Sequence, residues 1–210
     1  MSTPMREKMI AQVAAMREKL RAGDPREYAA RTGGEYADGI LRMNFFGKSY
    51  AISFPELEVV READKFVCGL NRTAMFLYYM QTADGSPLAY KWVSFRDLPG
   101  GMFYHQAYQG YSGDRLAKAI DNRTSVFERA AKQFNGDKLD LGDAAFAFTA
   151  LPRVRVAAIY NAGDEDFPAS AQVLFDASIT HYLPTDVCAG VGSTLVDRLI
   201  GAESKDDTEK

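Results

Sequence analysis

Apolar residues follow two different periods along this chain, and the changes of period mark out its elements. Over residues 5–21, Met5, Met9, Val13, Met16 and Leu20 recur every three or four positions with Arg, Glu and Lys between them, the spacing of an amphipathic helix. Gly23 stops it. Asp24-Pro25 offers an N-cap and a first-turn proline for a short second helix that closes at Gly33-Gly34. From Gly39 the period falls to two: Leu41, Met43 and Phe45 alternate with Arg42 and Asn44, and Tyr50, Ile52 and Phe54 follow Gly47-Lys48, which predicts a β-hairpin. Helical spacing returns within residues 72–82 at Met75, Phe76, Tyr79 and Met80, and residues 88–95, rich in aromatic and β-branched side chains, read as a short strand.

In the second half, residues 114–134 predict a helix broken near Asp121-Asn122, and residues 145–150 and 154–160 predict a second hairpin around Leu151-Pro152. Residues 170–182 fit two patterns. As a strand they place Val173, Phe175, Ala177, Ile179 and His181 on one face; as a helix they align Ala171, Leu174, Phe175, Ser178, Ile179 and Tyr182, with His181 at the edge. Length, Pro168 at a first-turn position and Pro184 as a stop favour the helix. A last helix spans residues 186–200. The expected fold is α+β: a mostly antiparallel sheet built from hairpins, packed against several helices, with an N-terminal amphipathic helix. We divide the chain into an N-terminal helical segment (1–34), one α+β domain (35–201) and an acidic, solvated tail (202–210).

Composition narrows the function classes. With 210 residues and a net charge of -3, the chain has no basic excess to neutralise phosphates, so neither nucleic acid nor an acidic membrane surface is an expected partner. No stretch approaches the roughly 20 apolar residues of a membrane span, and the charged start lacks the apolar run of a signal peptide, which places the protein in the cytoplasm. Cys68 and Cys188 stand alone, without CxxC spacing, and read as buried free thiols. No GxSxG, P-loop, GxGxxG or HExxH pattern occurs, so no sequence motif fixes a reaction.

The candidate chemistry is concentrated in two places. Residues 95–113 break regular structure with Pro99 and several glycines yet carry Phe103, Tyr104, Tyr108 and Tyr111. Such a loop either folds its rings over the core or walls a pocket, with Tyr104, His105, Gln106 and Tyr108 facing a small-molecule ligand. The other place runs from Asn161 to Tyr182 and holds His181, so the expected pocket adds Asn161, His181 and Tyr182 to the aromatic set. The acidic run Asp164-Glu165-Asp166, with Asp176, could coordinate a hard cation, or serve only as favourable charge before a helix. As an enzyme, the chain would use His181 with Glu165 or its acidic neighbours for acid–base or metal-assisted chemistry. His105 and His181 are the only histidines, and either could be an axial ligand to a tetrapyrrole metal. The N-terminal methionine face either docks a protein partner or packs on the chain's own core.

Three stretches and the closing LVDRLI, which span about Tyr36 to Ile200, resemble a family: ADGILRMNFFGKSYAISFPELEV, WVSFRDLPGGMFYHQAYQG, and LDLGDAAFAFTALPRVRVAAIYNAGDEDFPASAQVLFDASITHYLP. This is the bacterial and archaeal family catalogued as domain of unknown function 3786. The resemblance implies an anaerobic setting near corrinoid or iron–sulfur metabolism, with a corrinoid or other tetrapyrrole as the cofactor to consider. It transfers no catalytic residue, and the cysteine-rich segment that some members carry is missing here. The combined expectation is a ligand- or cofactor-binding accessory protein, with the His181 enzyme and a protein-interaction module as the alternatives.

Overall fold

The computed structural model describes residues 3–201, so the acidic tail expected at 202–210 lies outside the described residues. The chain begins with α1 (Thr3–Arg21) and α2 (Pro25–Thr32). Asp24 caps α2 by accepting from the Arg26 amide, and Gly33 ends it in the left-handed region at φ 73°. Of the α1 stripe, Val13, Met16 and Leu20 are buried, whereas Met5 is 58% exposed. The helix therefore rests on its neighbour α3 (Leu70–Thr82) along a narrow seam.

Between them comes an antiparallel meander of β1 (Glu35–Ala37), β2 (Ile40–Phe45), β3 (Lys48–Ser53), β4 (Val59–Arg61) and β5 (Phe66–Val67). The predicted hairpin is β2–β3, with Phe45 opposite Lys48 and both turn residues, Phe46 and Gly47, at positive φ. Leu41, Met43, Phe45, Tyr50 and Ile52 are all buried, and Phe45 and Tyr50 meet Phe76 of α3.

A second antiparallel sheet carries the rest. Its order is β6 (Trp92–Ser94), β10 (Ser170–Asp176), β9 (Val154–Asn161), β8 (Ala144–Leu151) and β7 (Asp137–Leu139). The helices α4 (His105–Tyr111), α5 (Gly113–Ile120), α6 (Thr124–Gln133) and α7 (Thr185–Leu199) complete the chain. The expected break near Asp121-Asn122 separates α5 from α6, with both residues at positive φ. The two sheets touch where the Phe46 amide donates to the Ala150 carbonyl at 2.8 Å, beside a register shift in β8. The α+β architecture with hairpin-built antiparallel sheets and a leading helix is as the sequence predicts.

Three local expectations need correction. Residues 170–182 are not one helix: β10 is followed by a 3-10 turn, Ala177–His181. The apolar residues satisfy both periods, and pairing decides between them, because β10 is hydrogen-bonded to β9 on one side and β6 on the other. The strand expected at 88–95 shrinks to Trp92–Ser94, since the Ala89 amide is taken by the Asp176 carboxylate instead of a ladder. The aromatic stretch is no open loop but two 3-10 turns, Phe95–Asp97 and Gly101–Phe103, leading into α4.

Candidate functional site

The wall of the site is a stack of rings. Ser94 anchors the first 3-10 turn, its hydroxyl donating to the Asp97 carboxylate at 2.7 Å. Gly100 adopts φ 73°, and at Gly101 a Cβ would overlap the Phe95 carbonyl oxygen, so only glycine lets the chain fold back this tightly. That reversal lays α4 over β10. Phe95 stacks on Tyr108 with centroids 4.2 Å apart, and both approach Phe175 of β10, at 6.4 and 6.1 Å.

A cleft opens on each side of this wall. The first, of about 330 Å³, is lined by Ser94, Arg96, His105, Gln109, Gln172 and Leu174 around the Phe95 and Tyr108 rings. The second, of about 380 Å³, is mostly apolar and lies toward α7, with Pro99, Tyr104, Ala107, Tyr111, Thr185 and Ala189 around Phe95. Thr185 fastens the start of α7 to this rim by donating to the Pro99 carbonyl at 2.8 Å.

Polar groups in the first cleft have defined orientations. Nδ1 of His105 lies 2.7 Å from the Met102 carbonyl oxygen, which can only accept, so that nitrogen carries the proton and Nε2 is left as the acceptor of the neutral ring. Gln109 uses its amide NH₂ on Asp114 and on the Ala171 carbonyl, at 2.7 and 2.9 Å. Arg96 Nε lies 3.2 Å from the Met102 sulfur. Tyr108 is 3% exposed, and burial pushes its phenol well above the ordinary range. Its hydroxyl has no hydrogen-bond partner among the described residues and presses on Gly192 of α7, so Tyr108 contributes a surface and no polar contact to a ligand.

The remaining predicted residues divide. Tyr104, 68% exposed, belongs to the second cleft, while Gln106 is exposed outside both sets of lining residues. Asn161, His181 and Tyr182 are not brought to the aromatic wall. Asn161 pairs with Ser170 at the far end of β9, and its Oδ1 borders Gly142. Tyr182 is buried against Tyr79, its hydroxyl donating to the Ser86 carbonyl. His181 stands outside the sheet, its Nδ1 2.7 Å from Asp84 Oδ2 and 3.3 Å from Ser86 Oγ. The Ser86 amide and then the His181 ring hold the Asp84 carboxyl down to about 2.

The candidate cation ligands do not converge. Asp164 accepts from the Asp166 and Phe167 amides at 2.9 and 2.8 Å, closing an exposed turn that also holds Glu165. Asp176 lies at the other end of β10, roughly 20 Å away at strand rise, and is 1% exposed. Burial would raise its carboxyl, but donation from Ser178 and Ala89 outweighs that and holds it below the ordinary value. It caps the 3-10 turn Ala177–His181 and fixes the preceding loop. Glu165 and His181 are likewise separated by the length of β10, so they form no acid–base pair. Among the described residues no group of three His, Cys, Asp or Glu side chains could hold a metal ion. Nor is any helix among them long and apolar enough to cross a membrane.

Arg96, Gln109 and Gln172, together with Asp84 as the partner of His181, are the site residues that sequence reasoning passed over. Gln172 alternates with buried Ala171 and Val173, so the period-two reading of β10 would have exposed it. Asp84 carries only a turn signal in sequence, and its pairing with a histidine 97 positions away has no local trace.

Residues 24–198 match the family model described as domain of unknown function DUF3786. No curated protein and no solved structure matches the chain.

Proposed function

The chain belongs to the DUF3786 family, and we propose that it binds a compact ligand with a flat apolar body and an acidic or acceptor group. The body lies on the Phe95–Tyr108 wall, and the acceptor end meets the donors of Arg96 and Gln172, with the His105 ring packed beside it. The observation that carries this reading is the Phe95 ring shared by two clefts, one of about 330 Å³ that carries Arg96, His105 and Gln172 among apolar groups, the other of about 380 Å³ and more strongly apolar. Concave, largely apolar surfaces with a few oriented polar groups are what small-molecule sites are made of.

A tetrapyrrole does not fit here. The His105 tautomer suits a metal ligand, whose second ring nitrogen normally donates to a carbonyl or carboxylate. The space does not, since a cleft near the lower limit of the roughly 300–1,000 Å³ of small-molecule sites cannot enclose a macrocycle. An iron–sulfur cluster lacks donors among the described residues, where the only cysteines, Cys68 and Cys188, are single and at least partly buried. The proposed ligand is therefore an organic acid and not a metallocofactor.

To test the reading, aromatic monocarboxylates and their neutral amides are screened by thermal shift against the wild-type protein and its Arg96→Gln and His105→Ala variants. Stabilisation by the acids, reduced in both variants, is expected. Equal stabilisation of all three proteins, or none of any, would refute it.

One observation favours a second reading, an acid–base enzyme. Asp84 fixes His181 with Nε2 directed away from the pair, as a carboxylate-oriented histidine base is held. Ser86 approaches the same nitrogen as Asp84 and so cannot be a nucleophile relayed through Nε2. Loss of turnover in His181→Ala but not in His105→Ala, with any substrate found by an activity screen, would select this reading over the first.

A further inference from the structure

A third cleft, of about 250 Å³, lies under α1 and does not depend on the reading above; it meets the second α4 cleft only at Asp186, which lines both. One wall is α1 itself, through Met9, Gln12 and Met16. The others are α3, through Ala74, Met75 and Tyr78, and α7, through Val187, Gly190 and Val191. The surface is mostly apolar, with Asn71 and Arg72 of α3 also on its wall, and three of its side chains are methionines, whose flexible thioethers adapt to an occupant. Asp186 and Thr194 supply acceptors, and the Thr194 hydroxyl already donates to the Gly190 carbonyl at 2.9 Å.

Gly190 is the telling residue. It sits inside α7, where glycine costs helix stability relative to alanine. Two positions on, Gly192 has a packing reason to be glycine, because a Cβ there would overlap the Tyr108 hydroxyl. At Gly190 a Cβ would meet nothing within 4 Å. Neither close approach of another backbone nor positive φ explains the missing side chain; what its absence does is deepen the cleft. The covering wall is also the least embedded helix of the fold's leading segment, and α1 falls outside the family-matched residues 24–198.

We propose that this cleft is a second binding site, for a small aliphatic molecule with a neutral hydrogen-bond-donor end, and that α1 is its cover. The aliphatic part lies among Met9, Met16, Met75 and Val191, and the donor end reaches the Asp186 carboxylate at the rim.

The probe is 1-octanol, titrated into the full-length protein carrying ¹³C-methyl methionine. The ε-methyl signals of Met9, Met16 and Met75 are expected to shift together along one saturable curve, while those of Met43 and Met80, buried elsewhere, stay within one-tenth of that change. Gly190→Leu fills the cleft and should abolish the shifts while leaving the melting temperature unchanged or higher. If Gly190→Leu does not fold, Gln12→Trp, which fills the cleft from α1, must give the same loss. Three methyl signals that stay fixed up to octanol saturation, or that move equally in the filled variant, would overturn the proposal.

Discussion

The Tyr108 hydroxyl lies against Gly192, in a gap that a single methyl group would close. Through this contact the ring wall of the α4 clefts is keyed to the middle of α7. Gly192→Ala should displace Tyr108 from its stack with Phe95 and destabilise the protein by about 1–3 kcal/mol, the usual cost of overpacking. Gly190→Ala, on the same helix with open space before it, should stabilise by up to about 1 kcal/mol. Urea denaturation of the two variants checks the contrast, and equal effects would mean that α7 does not hold Tyr108 as described.

Asp176 has a structural role and tolerates little change. Its buried carboxylate accepts from the part-buried Ala89 amide and from both the amide and hydroxyl of Ser178, so Asp176→Ala leaves the two buried Ser178 donors without partners. A loss of about 3 kcal/mol or more is expected, with hydrogen exchange quickening first at Ala89 and Ser178. A change below about 0.5 kcal/mol, typical of an exposed carboxylate, would show that the loop before β6 is held by something else.

Acid should weaken the fold partly through Asp84 and Asp64. Both carboxyls are held at about 2, Asp84 by the Ser86 amide and His181, Asp64 chiefly by Arg61. A folded value below the unfolded one means the contribution is complete above about pH 4, the ordinary carboxylate range, and is lost as pH falls through about 2. Both groups are exposed, so the effect is modest. The urea midpoint measured from pH 5 to pH 2 should fall less steeply in Asp84→Asn, and an unchanged slope would remove the pairing with Ser86 and His181 from the account.

Cys188 should be chemically silent. It is fully buried in α7, and desolvation pushes its thiol well above the usual range, so almost no thiolate forms at neutral pH. Thiol titration with a chromogenic disulfide should detect Cys188 only after denaturation. Rapid modification of Cys188 in the native protein would contradict the packing of α7.

Much of the fold is legible in sequence because local rules and tertiary contacts agree there. Phe46-Gly47 turns β2 into β3 where alternation stops, and Asp121-Asn122 breaks the helix where both residues take positive φ. Residues 170–182 escape the same reasoning, because Phe175 and Ile179 satisfy either period. Pairing with β9 and with β6, the latter some 80 residues earlier in the chain, settles the strand. The site is legible to about the same depth. Aromatic density in the sequence points to His105 and Tyr108, which line the first α4 cleft, whereas placing Gln172 there needs the strand reading of β10, and nothing in the local sequence singles out Arg96. The Asn161–Tyr182 half of the expected pocket failed for one reason: β10 runs straight between its ends and holds them apart, with His181 turned toward Asp84.

The most direct test of the α4 site is a backbone amide NMR titration with benzoate, the simplest flat acid that suits the cleft. The account predicts saturable shifts at Arg96, His105, Gln109 and Gln172, lost in Arg96→Gln, with His181 and Asp84 unmoved. Shifts absent from those four residues at millimolar benzoate, or centred on His181, would contradict it.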